Sequence, residues 1–135
     1  MKLLTLIRGV SGSGKTTLAL AILGAKKGED APIVCETDHF FVDPVTKEYS
    51  FNGKKRKEAH FHCQKKAELA MAEGKPVIVS NTFTQCWEMR PYLNFAKHYK
   101  YKVQIICIDP AGYNFGNVHD ASDEVVEKQR HRFEY

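Results

Sequence analysis

The stretch GVSGSGKT, residues 9–16, constrains this chain more than any other part of it. It fits the pattern G-x-x-x-x-G-K-[ST]. A nearly continuous apolar run, Leu3 to Ile7, precedes it, as in a parallel strand buried on both faces. Behind it, Lys15 to Leu23 sets Leu18, Ala19, Ile22 and Leu23 at helical spacing, and Gly24 and Gly28 bracket the end. Strand, glycine loop and helix in this order form a phosphate cradle. The glycines let the backbone curl so that N–H groups point at phosphate oxygens. The helix adds its positive end. The predicted nucleotide contacts are therefore Gly9, Val10, Ser11, Gly12, Ser13, Gly14, Lys15, Thr16 and Thr17. Lys15 would reach the β- and γ-phosphates, and Thr16 would offer its hydroxyl to magnesium. Such a loop says that a nucleoside triphosphate is held, not what is done with it.

The 135 residues suit one domain, 1–135, able to bury roughly two thirds of its unfolded surface. The net charge of +4 is mild, compatible with an anionic ligand and too small by itself to imply nucleic acid. Cys35, Cys63, Cys86 and Cys107 are widely spaced, with no CxxC pair and no zinc spacing, which predicts free thiols in a reducing cytoplasm. The opening MKLLTLIR reads as a buried strand rather than a secretory leader, because Arg8 closes a short apolar run and no small-residue cleavage site follows. Nothing approaches the roughly 18 apolar residues of a membrane span.

Further strands are expected at Pro32–Cys35, Pro76–Ser80 and Val103–Ile108. A long helix is expected over Lys54–Glu73, with Ala59, His60, Cys63, Ala67, Ala70 and Met71 as its inner stripe. Another starts near Trp87 and turns Tyr92, Leu93, Phe95 and Ala96 inward, and a last one spans Ala121–Phe133 with Ser122 as N-cap. Strands alternating with helices predict an α/β fold with a small four-stranded parallel sheet and helices on both faces.

Open α/β sheets bind ligands at the carboxyl ends of their strands. Asp38 follows the second strand there, able to accept a proton from an attacking hydroxyl or to bind magnesium. His39 beside it reads as a loop histidine before a base. Phe40, Phe41, Tyr49 and Phe51 suit either a stacking surface or the loop's own small core. The run Lys54-Lys55-Arg56-Lys57 opposes the helix dipole, which admits either a solvated basic face or attraction to a polyanion. His60 and His62 read as core or surface histidines. No guanine-reading N-K-x-D segment is present, and Asn81 rather than an acid follows the third strand, with Asp109 after the fourth an imperfect substitute. A GTP switch and a motor ATPase are disfavoured, and a kinase remains.

Several segments together resemble one family: LIRGVSGSGKTTLA, ETDHFF, EYSFN, EAHFHCQKKAELAMAEGKPVIVSNT and WEMRPYLNFAKHYKYKV are similar to the AAA-33 group of small P-loop kinases. This group is related to phage polynucleotide 5′-kinase domains and Nedd-binding-protein-like kinases. The resemblance runs from about Leu3 to Phe133. It implies ATP and Mg²⁺ at Lys15 and Thr16, Asp38 as the catalytic carboxylate, sheet order 2-3-1-4 and a lid at about 111–122 that includes Asn117 and His119. It also makes a viral source plausible. Where the family shows Asp-Asn-Thr-Asn or Asp-Thr-Asn, this chain has Ser80-Asn81-Thr82-Phe83, and Gly116 stands where an arginine is common. Arg130 and Arg132, on the final helix, are then the candidate charge-balancing cations. The expected function is transfer of the ATP γ-phosphate to an acceptor hydroxyl, a nucleic-acid 5′-hydroxyl first and a nucleoside or other small hydroxyl compound second. The alternatives are a nucleotide-binding protein without turnover and a plain nucleic-acid binder.

Overall fold

A computed structural model describes residues 2–10, 13–25, 31–41, 45–47, 53–108 and 123–134. Ser11, Gly12, Tyr49, Phe51, Asp109, Ser122 and the expected lid at 111–122 lie outside the described residues, as does the side chain of Arg130.

Four parallel strands form one sheet: β1 (Leu3–Arg8), β2 (Ile33–Cys35), β3 (Val77–Asn81) and β4 (Lys102–Cys107), in the order β2-β3-β1-β4. This is the predicted order. β1 is central, pairing Leu4 with Val77 on one side and with Val103 on the other. Helix α1 (Lys15–Ala25) covers one face, where Ala19, Leu18 and Ile22 pack on Ile7 and Ile78. Helices α2 (Arg56–Ala72) and α3 (Arg90–His98) cover the other, enclosing Leu4, Leu6, Val77 and Val79.

The helical stripes follow the sequence periodicity. On α2, Ala59, Cys63, Ala67, Ala70 and Met71 are buried, while His60 is half-buried. On α3, Tyr92 and Ala96 are buried and Leu93 and Phe95 are half-buried. The starts differ from expectation. Gly53–Lys55 form a 3-10 turn ahead of α2, and Cys86–Met89 another ahead of α3, where Pro91 fits the first turn. The C-terminal helix α4 spans Asp123–Arg132.

VQIICI gives the expected strand, β4, with Val103 41% and Ile105 48% exposed. Both belong to an edge strand, whereas Ile106, on the α1 side, joins the core.

At the carboxyl end of β1, Arg8 is buried. Its Nε and Nη2 donate to the Phe83 carbonyl at 3.1 and 2.7 Å, and Nη2 also reaches the carbonyls of Thr84 and Glu134. The guanidinium lies over the Phe133 ring, 4.5 Å from its centroid. Phe83 adopts a left-handed backbone, φ 44°, that turns its carbonyl toward Arg8 and its ring into the core against Tyr92. The end of the central strand is thereby joined to the chain after β3 and to the segment after α4. We expect Arg8→Met to destabilise the fold by about 3 kcal/mol, since it leaves buried carbonyls without donors. Arg8→Lys should recover little, because an ammonium lacks the fork. Urea denaturation measures both, and a lysine variant of wild-type stability would contradict the clamp.

Candidate active site

The phosphate loop begins one residue after that clamp. Gly9 N donates to the Thr82 carbonyl at 3.1 Å, and Ile108 N to the Arg8 carbonyl at 2.8 Å. The loop is therefore anchored to the exits of β3 and β4. Close approach favours glycine at 9: a Cβ there would stand 2.5 Å from Ser13 Oγ and 3.2 Å from Ile108 Cβ, so both would have to shift. Gly14, at φ 96°, supplies the left-handed turn into α1. Ser13 Oγ is buried without a hydrogen-bond partner among the described residues, an orphaned donor inside the predicted cradle. Val10 is buried against Phe133. Thr17 sits exposed on the first turn of α1.

Lys15 Nζ donates to the Val10 carbonyl at 3.0 Å. Burial lowers its pKa from 10.5 to about 8, while the charges of Asp38 and Glu36 pull it back up. The three groups thus feel one another at the same edge of the sheet.

Glu36 is what sequence reasoning missed. It is buried at the end of β2, and the Thr16 hydroxyl donates to its Oε1 at 3.0 Å. Its other oxygen, Oε2, lies 3.2 Å from His39 Nε2. An acid therefore stands buried after the second strand, where the third strand ends in Asn81. The available signal was position: Glu36 stands at the carboxyl end of a parallel strand, two residues before Asp38.

Asp38 is half-buried on a 3-10 helix, Thr37–Phe41. Asn81 positions that helix. Its Oδ1 accepts from Thr37 N at 2.8 Å, and its Nδ2 donates to Cys63 Sγ at 3.7 Å. An amide can do both, whereas a carboxylate has no hydrogen to donate. Thr37 Oγ1 pairs with His60 Nδ1 at 3.3 Å, fixing the same helix to α2. Burial pushes the His60 pKa down, which favours the neutral ring. Burial raises the Cys63 thiol and pushes Cys35 to about 12, so both stay protonated and inert.

The arginines are placed less directly. Arg132 Nε donates to Thr84 Oγ1 at 3.2 Å, and that hydroxyl donates to Glu88 Oε1 at 3.1 Å. Together with Glu134 N on the Thr84 carbonyl, at 2.6 Å, this fastens the end of α4 to the loop after β3.

The donor set at Thr16 and Glu36 is hard oxygen, which suits Mg²⁺: that ion takes one or two protein oxygens and completes its shell with phosphate and water. Among the described residues, no three His, Cys, Asp or Glu side chains form a metal cage. Among them, too, no helix is long and apolar enough to cross a membrane.

Comparison with known proteins agrees with this fold. The family described as an AAA domain matches residues 4–112. Human NEDD4-binding protein 2 is 38% identical over 103 residues, 74% of this chain and 5% of that protein. A chain of the Pnkp1/Rnl/Hen1 RNA repair complex superposes with a TM-score of 0.70 at 12% identity, over 96% of this chain and 43% of that one. The Mycobacterium tuberculosis APS kinase CysC gives 0.55 at 15% identity, over 95% and 91%. The chain thus spans less than half of the human relative and of the RNA repair chain. The fold is that of P-loop kinases.

The depressed Lys15 pKa has a signed consequence. Below about pH 8 the folded protein bears the full penalty of a buried ammonium. Between about 8 and 10.5 the unfolded chain holds the proton and the folded one does not, so this group favours folding increasingly as pH rises. Wild type should gain stability relative to Lys15→Met across that window in paired urea titrations. A difference that does not change with pH would contradict the buried charge.

Proposed function

The chain belongs to the AAA-33 family, and from that premise we propose that it is an ATP- and Mg²⁺-dependent phosphotransferase acting on an acceptor hydroxyl, with a nucleic-acid 5′-hydroxyl as the acceptor. The convergence of Lys15, Thr16, Glu36 and Asp38 on one sheet edge carries this reading. The names of two neighbours, an APS kinase and a member of an RNA repair complex, agree with phosphoryl transfer and with a nucleic acid.

In the proposed reaction the loop from Gly9 to Thr17 holds the triphosphate. Mg²⁺, held by Thr16 and Glu36 with Asp38 facing the same space, would neutralise charge on the β- and γ-phosphates. Asp38 accepts the proton of the acceptor hydroxyl. That oxygen bonds to the γ-phosphorus as the bond to the bridging oxygen breaks, and ADP leaves with the electron pair. Lys15 balances the charge on the departing phosphates. Arg130 and Arg132 are the proposed further cations, and Arg132 would leave Thr84 to serve. His39 stays paired with Glu36 and serves neither as base nor as ligand. A reducing cytoplasm, where the thiols remain free, suits the chain.

Labelled ATP offered with 5′-hydroxyl oligonucleotides, nucleosides and sugars tests the proposal. Asp38→Asn should lower turnover by roughly 10²–10⁴-fold while leaving ATP affinity nearly unchanged. Glu36→Gln should raise the Mg²⁺ concentration for half-maximal rate by about tenfold. Asp38→Asn activity equal to wild type on every acceptor would sink the claim. Tight ATP binding with no transfer to any acceptor would favour a nucleotide-dependent binding protein.

A further inference from the structure

We propose that an open groove bordered by the 3-10 helix that carries Asp38 is the platform for the acceptor strand, taking single-stranded nucleic acid with bases stacked on Phe40 and Phe61 and phosphates on Lys57 and Lys65. The proposal rests on the phosphotransferase reading and assigns the acceptor side of that site.

The groove measures about 530 Å³ and is lined by Phe40, Lys57, Glu58, Phe61, His62 and Lys65. Phe61 is 68% exposed on α2. A single exposed ring means little, but this one does not stand alone. The Phe40 and His62 rings lie 5.8 Å apart, tilted by 58°, on the same groove. Lys57 and Lys65 are eight positions apart on α2, about 12 Å along its axis at 1.5 Å per residue. Phe61 and His62 sit between the two cations in sequence, and Phe40 meets them from the neighbouring 3-10 helix. Rings between cations are what a single strand requires: every base has a π-face, and every linkage carries a negative charge. A sugar or other small polar acceptor is better served by an enclosed pocket with convergent polar groups.

Charge and position both favour this occupant. One acid, Glu58, lines the groove against two lysines. Lys65 lies 3.9 Å from Glu68 in an exposed pair, a weak contact that a phosphate can displace. Just ahead, Lys54, Lys55 and Arg56 continue the positive surface against the helix dipole. The choice between stacking surface and loop core is divided between neighbours: Phe41 is buried, while Phe40 turns to the groove and meets Phe41 edge-on. Phe40 belongs to the 3-10 helix that carries Asp38, two residues on, roughly 4 Å along the axis. The Thr37–His60 contact holds that helix on α2 directly beside Phe61 and His62. A strand whose terminal hydroxyl meets Asp38 would therefore continue onto the groove.

The test uses a 5′-hydroxyl oligothymidylate labelled at its 3′ end, read by fluorescence anisotropy across a salt series, with ATP affinity measured in parallel by calorimetry. Phe61→Ala should weaken oligonucleotide binding by about tenfold. Lys57→Ala and Lys65→Ala should each reduce the log–log salt slope by about 0.7. Leu69→Ala, exposed on the same helix outside the groove, should change neither. Groove-dependent binding without phosphoryl transfer would uphold the platform while the kinase reading fails. Transfer to the oligonucleotide with a KM unmoved by Phe61→Ala and by the double lysine variant would overturn the platform while the kinase stands. Binding that loses its salt dependence with the lysines but ignores both Phe40→Ala and Phe61→Ala would also overturn it.

Discussion

A buried guanidinium organises the working edge of this molecule. Arg8 ends the central strand, and its donors run to carbonyls on the segment after β3 and on the segment after α4. A charge in such a place is tolerated only when its hydrogen-bonding capacity is met. The surrounding chain meets it at the cost of a left-handed Phe83. The phosphate loop starts at the next residue. Its first N–H donates to Thr82, inside the segment that Arg8 holds, so the clamp sets the loop's position relative to the neighbouring strands.

A second set of contacts aims the carboxylates. Asn81 takes the Thr37 N–H and gives its own to Cys63, while His60 meets the Thr37 hydroxyl. These contacts fix the short helix that carries Asp38, next to Glu36 at the end of β2. Asn81 thus uses both ends of its amide, accepting from Thr37 and donating to a thiol that burial keeps protonated. The acids of this edge, Glu36 and Asp38, stand after β2, whereas Asn81 ends β3. Phe83, which stands where the family often has Asn, is committed to the core and to Arg8.

The sequence made the local features legible. The phosphate loop, the strand before it and the helix after it are contiguous, and the inner stripes of α2 and α3 follow from 3.6-residue periodicity. Asp38 was visible because a strand end names its own edge. What escaped were contacts between residues far apart in the chain. Arg8 meets Phe83 across 75 positions, Thr37 meets Asn81 across 44 and Thr16 meets Glu36 across 20. Arg8 looked like the end of an apolar run, and Asn81 looked like a missing acid, because their partners are set by topology rather than by spacing. The apolar run of β4 marks a strand, while its exposure follows from its place at the edge, which topology sets.

The central claim is that Glu36 and Asp38, from the end of β2, serve the bound triphosphate in place of an acid after β3. A crystal structure with Mg²⁺ and a non-hydrolysable ATP analogue tests it most directly. The account predicts Mg²⁺ on the Thr16 hydroxyl, Glu36 within one water of the metal and Asp38 facing the γ-phosphate. A metal whose protein oxygens come from elsewhere, with both carboxylates turned away from the phosphates, would contradict it.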